Sequence, residues 1–117
     1  MSEQAVQAIL TGFALNTSAE LVLAAMVAPR PAQIRTVACF SQGATGTTAT
    51  IIDVRNNGVS VYTNPASRPS IAAGATGKFT STLPNHQAVR LGDIVTLVCA
   101  QAGGHVGVIA TAAIEEP

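Results

Sequence analysis

Aromatic residues are scarce in this sequence. There is no Trp, one Tyr and three Phe among 117 residues, which makes 3% of a chain that is 48% hydrophobic. The core must therefore be built mainly from Ala, Val, Ile and Leu, and we expect Phe13, Phe40 and Phe79 inside it. Sugar-binding sites use exposed aromatic rings, so a single tyrosine, Tyr62, counts against a carbohydrate-binding role.

Charged residues are also few, at 10% of the chain, whereas soluble domains average about a quarter. Six basic and six acidic residues cancel, and Lys and Arg form no run. The electrostatic attraction that drives nucleic-acid binding therefore has no source, and we predict no nucleic-acid partner. A surface with little charge favours association between proteins, which predicts a subunit of a larger assembly, with a soluble monomer as the alternative.

Long apolar segments are missing. Thr11, Asn16 and Glu20 interrupt the N-terminal region, so no run approaches the roughly 20 apolar residues that cross a bilayer as a helix. Glu3 precedes the first apolar run and no basic cluster accompanies it, which is not typical of a secretory signal. We therefore predict no membrane partner and a protein that stays in the cytoplasm until it is assembled.

The two cysteines, Cys39 and Cys99, each lie in an apolar, strand-like sequence. We expect both to be small buried hydrophobic residues. A disulfide between them would need Cα atoms within about 7 Å, which the sequence leaves open. Two cysteines and the distant His86 and His105 do not make a zinc ligand set, so we predict neither a metal nor a cofactor.

Hydrophobic residues alternate along most of the chain with a period of two, and turn residues recur at regular intervals. This pattern predicts an all-β protein, an antiparallel β-sandwich that is jelly-roll-like and has about seven to nine strands. Residues 20–28 could also form a helix capped by Ser18. A strand is favoured there because Pro29 and Pro31 follow so closely.

The clearest local signal is Asn57-Gly58 between two alternating runs. A type I′ hairpin turn needs positive φ at both central residues, which Asn and Gly tolerate. The predicted cross-strand pairs are Asn56 with Val59, Val54 with Val61, Ile52 with Thr63, and Asp53 with Tyr62. This register places Ile52, Val54 and Val61 in the core.

No set of residues forms a recognisable catalytic pattern. His86 and His105 fall in turn regions, where a lone histidine is usually a solvated polar residue. Asp53 is expected on the exposed face of the hairpin, and Asp93, after Gly92, is expected to bind the backbone of its own turn. We therefore predict that the protein is not an enzyme and has no catalytic residues.

Two regions are candidates for contacts with other proteins. The strand at 94–101 is apolar on both faces, so one face should cover the core and the other a neighbouring element or subunit. The N-terminal segment, residues 1–31, should provide edge strands or an arm packed on a neighbour of the β-sandwich domain, residues 32–117. The predicted interface residues are Val6, Ile9, Leu10, Leu21, Leu23, Val95 and Leu97.

From about residue 32 onward, three turn motifs follow each other in order. They are IDVRNNGVSV at residues 52–61, PSIAAG at residues 69–74, and Gly92-Asp93 followed by Gln101-Ala102-Gly103. In this order they resemble a β-sandwich module of tailed-bacteriophage virion proteins, of the small head or tail accessory type. Residues 1–31 lie outside the resemblance, and the matching residues look like turns that define the fold rather than contacts.

The resemblance implies a non-enzymatic structural protein of a phage virion. A chain of this size suits a capsid decoration or cement protein that binds and stabilises the head lattice, in such systems often as a trimer. The implied partners are the major capsid protein or another virion protein and further copies of the chain, with assembly in the host cytoplasm. The alternatives are a tail or baseplate accessory protein and a host-surface module that binds carbohydrate.

Overall fold

The computed structural model describes residues 6–16, 21–44, 48–75, 77, 79–101 and 103–116. These residues form ten β-strands and one short 3-10 helix, Pro65–Ser67. The strands are β1 Val6–Asn16, β2 Leu21–Val27, β3 Ala32–Ala44, β4 Thr50–Asn56, β5 Val59–Ser60, β6 Ser70–Ile71, β7 Phe79–Thr82, β8 Ala88–Val89, β9 Ile94–Gln101 and β10 His105–Glu115. No helix within these ranges is long and apolar enough to cross a membrane.

The strands form two antiparallel sheets that pack face to face. The first sheet has the order β1-β10-β3-β7, with β8 also paired to β3. The second sheet has the order β2-β9-β4-β5, with β6 also paired to β4. The first strand thus pairs with the last, and the second with the last but one. Pairing of the outermost strands of the chain in one sheet and of the next two in the other is the strand arrangement of a jelly roll. The predicted β-sandwich is therefore confirmed.

The two N-terminal strands are edge strands, one in each sheet. β1 lies at one edge of the first sheet and β2 at one edge of the second. Residues 21–27 are therefore a strand, as favoured over the helix. The structure has ten strands, whereas seven to nine were predicted. β8 was not predicted, because its two residues are too few to show a period of two.

The core between the sheets is aliphatic, as the composition predicted, and Tyr62 is buried in it. Phe13 is exposed, contrary to the prediction, because Leu10 faces the core and Phe13, three residues further along the same strand, faces the other way. Phe40 is half-buried, and the side chain of Phe79 lies outside the described part of the structure. The largest fully buried side chains include Ile34, Ile52, Ile71, Leu97, Ile114, Val37, Val54, Val95 and Val108.

The Asn57-Gly58 hairpin forms in the predicted register. Asn57 has a φ of 53° and Gly58 a φ of 85°, both positive as the type I′ turn requires. Asn56 lies opposite Val59, and the Val61 N–H donates to the Val54 carbonyl at 3.0 Å. The buried positions predicted for Ile52, Val54 and Val61 are confirmed.

Pairing along this hairpin stops earlier than predicted. The Val61 carbonyl accepts a hydrogen bond from the His86 N–H at 2.9 Å, so the chain turns away from β4. The Ile52 N–H instead donates to the Pro69 carbonyl at 2.9 Å, and β6 takes the place beside β4. The predicted pairs Ile52 with Thr63 and Asp53 with Tyr62 are therefore wrong.

Candidate functional site

The outer face of the first sheet exposes apolar side chains along β1. Ile9 and Phe13 of β1 are 61% and 58% exposed, while Leu10 between them lies in the core. The outer cross-strand pairs between β1 and β10, which we call the β1 face, are Ile9 with Ala113, Thr11 with Thr111, and Phe13 with Ile109. An exposed apolar surface of this kind is typical of a contact with another protein.

β1 is also a long edge strand. Within the described ranges it pairs with β10 on one side and with no strand on the other. It spans 11 residues, VQAILTGFALN, and contains neither a charged residue nor a proline. Charges and prolines are the usual features that stop an edge strand from pairing with another chain, so β1 is open to further strand pairing.

A second exposed apolar surface lies on the opposite side of the sandwich, on the outer face of the second sheet. Val27 of β2 lies opposite Ile94 of β9, and Val22 is exposed on the same strand. Leu21, where β2 begins, lies opposite the buried Cys99 and is exposed at the open edge of the sheet beside that face. We call Leu21, Val22, Val27 and Ile94 the β2 patch; their exposed fractions range from 42% to 62%.

The structure places the predicted interface residues in different environments. Ile9 belongs to the β1 face and Leu21 to the β2 patch. Leu23 is partly buried against the core. The side chain of Val6 lies outside the described part of the structure. The remaining predicted residues, Leu10, Val95 and Leu97, are core residues.

On β9 the two residues predicted to face a partner face the core instead. Val95 and Leu97 are fully buried, whereas Ile94 is 49% exposed. The sequence could not distinguish the two faces because both are apolar. Besides Ile94, three exposed residues of the two surfaces were not among the predicted interface residues: Phe13, Val22 and Val27. Phe13 could have been found, because it lies on the same face of β1 as Ile9, which was predicted.

Asp53 is buried, contrary to the prediction of an exposed face. The Ser60 hydroxyl donates to its Oδ1 at 2.8 Å. Its Oδ2 lies 3.4 Å from Arg55 Nε and 3.8 Å from Arg68 Nη1. The carboxylate is thus paired with Arg55 of β4 and with Arg68, which ties the segment after the hairpin to β4, a structural role.

His105 is fully buried at the start of β10, so its predicted place in a solvated turn is wrong. Its Nδ1 lies 2.6 Å from Thr50 Oγ1, which accepts a hydrogen bond from the Gly103 N–H at 2.9 Å. The Ala72 carbonyl oxygen can only accept, so Nε2–H donates to it at 2.9 Å; in the neutral ring Nδ1 then accepts the Thr50 hydroxyl proton. This network joins three chain segments, which explains why a histidine is buried here.

Asp93 binds its own turn, as predicted. Its Oδ2 accepts hydrogen bonds from the Arg90 N–H at 2.9 Å and from Asn56 Nδ2 at 3.0 Å, and its Oδ1 accepts one from Asn57 Nδ2 at 3.0 Å. The Arg90 N–H and the Asn56 amide favour the charged form and lower the pKa of this carboxyl group below its usual value. The carboxylate thus ties the hairpin turn to the turn before β9.

The remaining polar residues do not form an acid–base site within the described part of the chain. His86 is exposed, as predicted, beside an open depression of about 450 Å³. The described lining residues of this depression are Asn56, Asn57, Val59, Ser60, Val61 and His86, which include no second titratable side chain. Tyr62 is buried, and its hydroxyl lies 2.7 Å from Thr82 Oγ1 of the other sheet.

Cys39 and Cys99 are both buried in the core, in agreement with the prediction of small core residues. Cys39 lies in β3 of the first sheet and Cys99 in β9 of the second. Among the described residues, no three His, Cys, Asp or Glu side chains come together as a metal-binding group.

The fold is similar to that of chains in two solved phage capsids. One match is to a chain of the cyanophage Pam1 capsid asymmetric unit, with a TM-score of 0.56, 14% identity, and coverage of 94% of this chain and 84% of that chain. The other is to a chain of the capsid of Ralstonia phage GP4, with a TM-score of 0.50, 12% identity, and coverage of 96% and 86%. No family model and no curated protein matches the sequence.

Proposed function

We propose that this chain is a non-enzymatic structural protein of a phage virion and acts as a decoration or cement protein on the capsid head. One observation carries the proposal. The sandwich exposes two uncharged apolar surfaces, the β1 face and the β2 patch, on its two opposite outer faces. A protein that holds a lattice together must contact at least two chains at once, and two separate surfaces allow this.

The structural neighbours support the same role. Both matched chains come from phage capsid structures. Because each alignment covers most of both chains, the matched chains are similar in size to this one. A single sandwich of this size suits a subunit that attaches to a lattice of other proteins.

We assign the β2 patch to the lattice. β2 has seven residues, its register with β9 shifts between Val22 and Ala24, and Pro29 and Pro31 follow it. Such a strand is poorly suited to pairing with a further strand, because bulges and prolines block edge pairing. Its exposed side chains instead offer an apolar surface, which fits an equally uncharged surface of the major capsid protein or of another virion protein.

Binding of this kind stabilises the lattice by mass action. A ligand that binds the assembled shell and not its separated subunits favours the shell in proportion to its occupancy. Modest contacts that are repeated over many symmetry-related sites also give high avidity. Because the β2 patch carries no charge, we expect binding to persist at salt concentrations that screen ionic contacts.

The proposal includes contacts between copies of this chain, and location in the virion after assembly in the host cytoplasm; the trimer implied by the resemblance stays an expectation. A tail or baseplate accessory protein would use the same surfaces, so the test must compare heads with tails. A carbohydrate-binding role has less support, because the single tyrosine, Tyr62, is buried in the core.

The test is co-sedimentation of the purified protein with capsids that lack it, and separately with isolated tails. We expect saturable binding to capsids, loss of that binding in Val27→Glu, and no loss in Ser67→Glu, which adds the same charge at an exposed site outside both surfaces. A protein that stays in the supernatant with capsids and pellets with tails would overturn the head assignment. Equal binding by the two variants would overturn the assignment of the β2 patch.

A further inference from the structure

β1 is the one long edge without protection among the described strands. The other strands at sheet edges are short or irregular: β5, β6 and β8 have two residues each, β7 has four, and β2 has a register shift. In β1 the register shift lies between Val6 and Ala8, so the pairing with β10 continues regularly from Ala8 to Asn16. Its free side therefore presents a regular row of N–H and C=O groups.

The outer side chains of β1 are arranged symmetrically about Thr11. Ile9 and Phe13 lie two residues before and after it, on the same exposed face. If two β1 strands pair in antiparallel fashion with Thr11 opposite Thr11, each Ile9 lies opposite the Phe13 of the other copy. Pairs of an aromatic and a β-branched residue are among the favourable cross-strand contacts.

The absence of charge in β1 points to the identity of the partner. In a two-fold contact each residue meets the same patch of the other copy, so a charge near the axis would face a like charge. A strand that pairs with a different protein can carry charges, because that partner can carry the opposite ones. β1 contains no charged residue over its 11 residues, which is what self-pairing requires.

We propose that a second copy of this chain pairs with β1 in antiparallel fashion, with the two-fold axis at Thr11, so that the two first sheets become one continuous sheet. The contact joins the β1 faces of both copies and leaves the β2 patches free. A two-fold contact gives a dimer, or an assembly of dimers, in place of the trimer that the resemblance implied. The inference concerns the protein alone in solution and does not depend on binding to a capsid.

The test combines molar mass by light scattering with cysteine cross-linking of the full chain. Thr11→Cys places two thiols opposite each other, at a Cα separation of about 4.5 or 5.5 Å, within the range that a disulfide spans. Ser81→Cys, exposed on β7 at the other edge of the same sheet, is the matched control. We expect a mass of two chains and a disulfide-linked dimer on oxidation of Thr11→Cys, but not of Ser81→Cys or of the wild type.

A second variant keeps the inference testable if Thr11→Cys folds poorly. Thr11→Lys puts two like charges at the axis, so it should weaken the dimer at least tenfold while its thermal unfolding stays cooperative. A wild-type mass of one or three chains, or equal cross-linking of Thr11→Cys and Ser81→Cys, would overturn the proposal. Val27→Glu separates this inference from the capsid proposal, since it should abolish capsid binding and leave the dimer intact.

Discussion

Gly12 of β1 packs directly against Leu23 of β2, so that the edge strands of the two opposite sheets meet across the sandwich. A side-chain carbon added at Gly12 would overlap the Leu23 Cβ and lie 3.1 Å from the Leu23 carbonyl carbon. The close approach therefore requires glycine. It also links the strand that carries the β1 face to the strand that carries the β2 patch.

Gly12→Ala should destabilise the protein by about 1–3 kcal/mol, because β1 and β2 must move apart to admit the added methyl group. Urea denaturation measures this change. Gly43→Ala is the matched control, since its added carbon would lie 3.7 Å from the nearest atom, Val106 Cβ, an ordinary contact. Equal free energies of unfolding for the two variants would contradict the packing described.

Tyr62 should titrate at unusually high pH. Burial raises its pKa from 10.0 to about 12 because the charged phenolate would lose its hydration, and the hydrogen bond with Thr82 only partly offsets this. The chain has one tyrosine and no tryptophan, so tyrosinate absorbance reports this group alone. We expect a midpoint near 12 for the folded protein and near 10 in denaturant.

The same raised pKa sets the alkaline stability. The unfolded state loses its tyrosine proton above pH 10 while the folded state keeps it until about 12, so stability is fully present below 10 and falls as the pH rises through 12. Tyr62→Phe should remove this pH-dependent loss and cost about 1 kcal/mol at neutral pH through the missing hydrogen bond. An unchanged alkaline profile in Tyr62→Phe would assign the loss to another group.

Features fixed by local chemistry were predictable from the sequence. The Asn57-Gly58 dipeptide predicted the hairpin turn and its first cross-strand pairs, because Asn and Gly tolerate the positive φ that the turn requires, whatever surrounds them. The turn-binding role of Asp93 was found in the same way. Alternation predicted the class of fold, since the core face of each strand repeats every second residue.

Features that depend on distant chain segments were not predictable. Asp53 was placed on an exposed face because nothing in the hairpin shows that Arg68, from the segment after it, lies over the carboxylate. His105 sits beside a glycine turn in sequence, but Thr50 and Ala72 enclose it in the fold. The sequence did not show which face of β9 packs on the core because both faces are apolar, so Val95 was predicted at an interface, whereas it faces inward.

Asp93 should make the protein sensitive to acid. Its pKa lies below the ordinary 3.8 because the Arg90 N–H and the Asn56 and Asn57 side chains stabilise the carboxylate. Its contribution is therefore present above pH 3.8 and is lost as the pH falls through the lower folded-state value. Asp93→Asn should unfold more easily at neutral pH and lose less stability on acidification, measured by urea denaturation at a series of pH values.

A graded variant checks this account of Asp93. Asn57→Gly preserves the positive φ of the hairpin turn and removes one of the donors to the carboxylate. It should reduce the acid-dependent loss of stability without abolishing it. The same acid profile in Asp93→Asn as in the wild type would show that other carboxylates govern the acid response.

His105 should be important for stability because its ring links separate segments of the chain. Replacing it with Phe, which keeps a ring in the buried space, removes the contacts to Thr50 and Ala72 that join the 48–50, 72–75 and 103–105 segments. The loss of buried hydrogen bonds should cost at least about 1–3 kcal/mol in the free energy of unfolding. His86→Phe, at the exposed histidine, is the matched control and should change stability by no more than about 0.5 kcal/mol. If His105→Phe is as stable as the wild type, hydrophobic packing rather than the polar network holds this end of the jelly roll together.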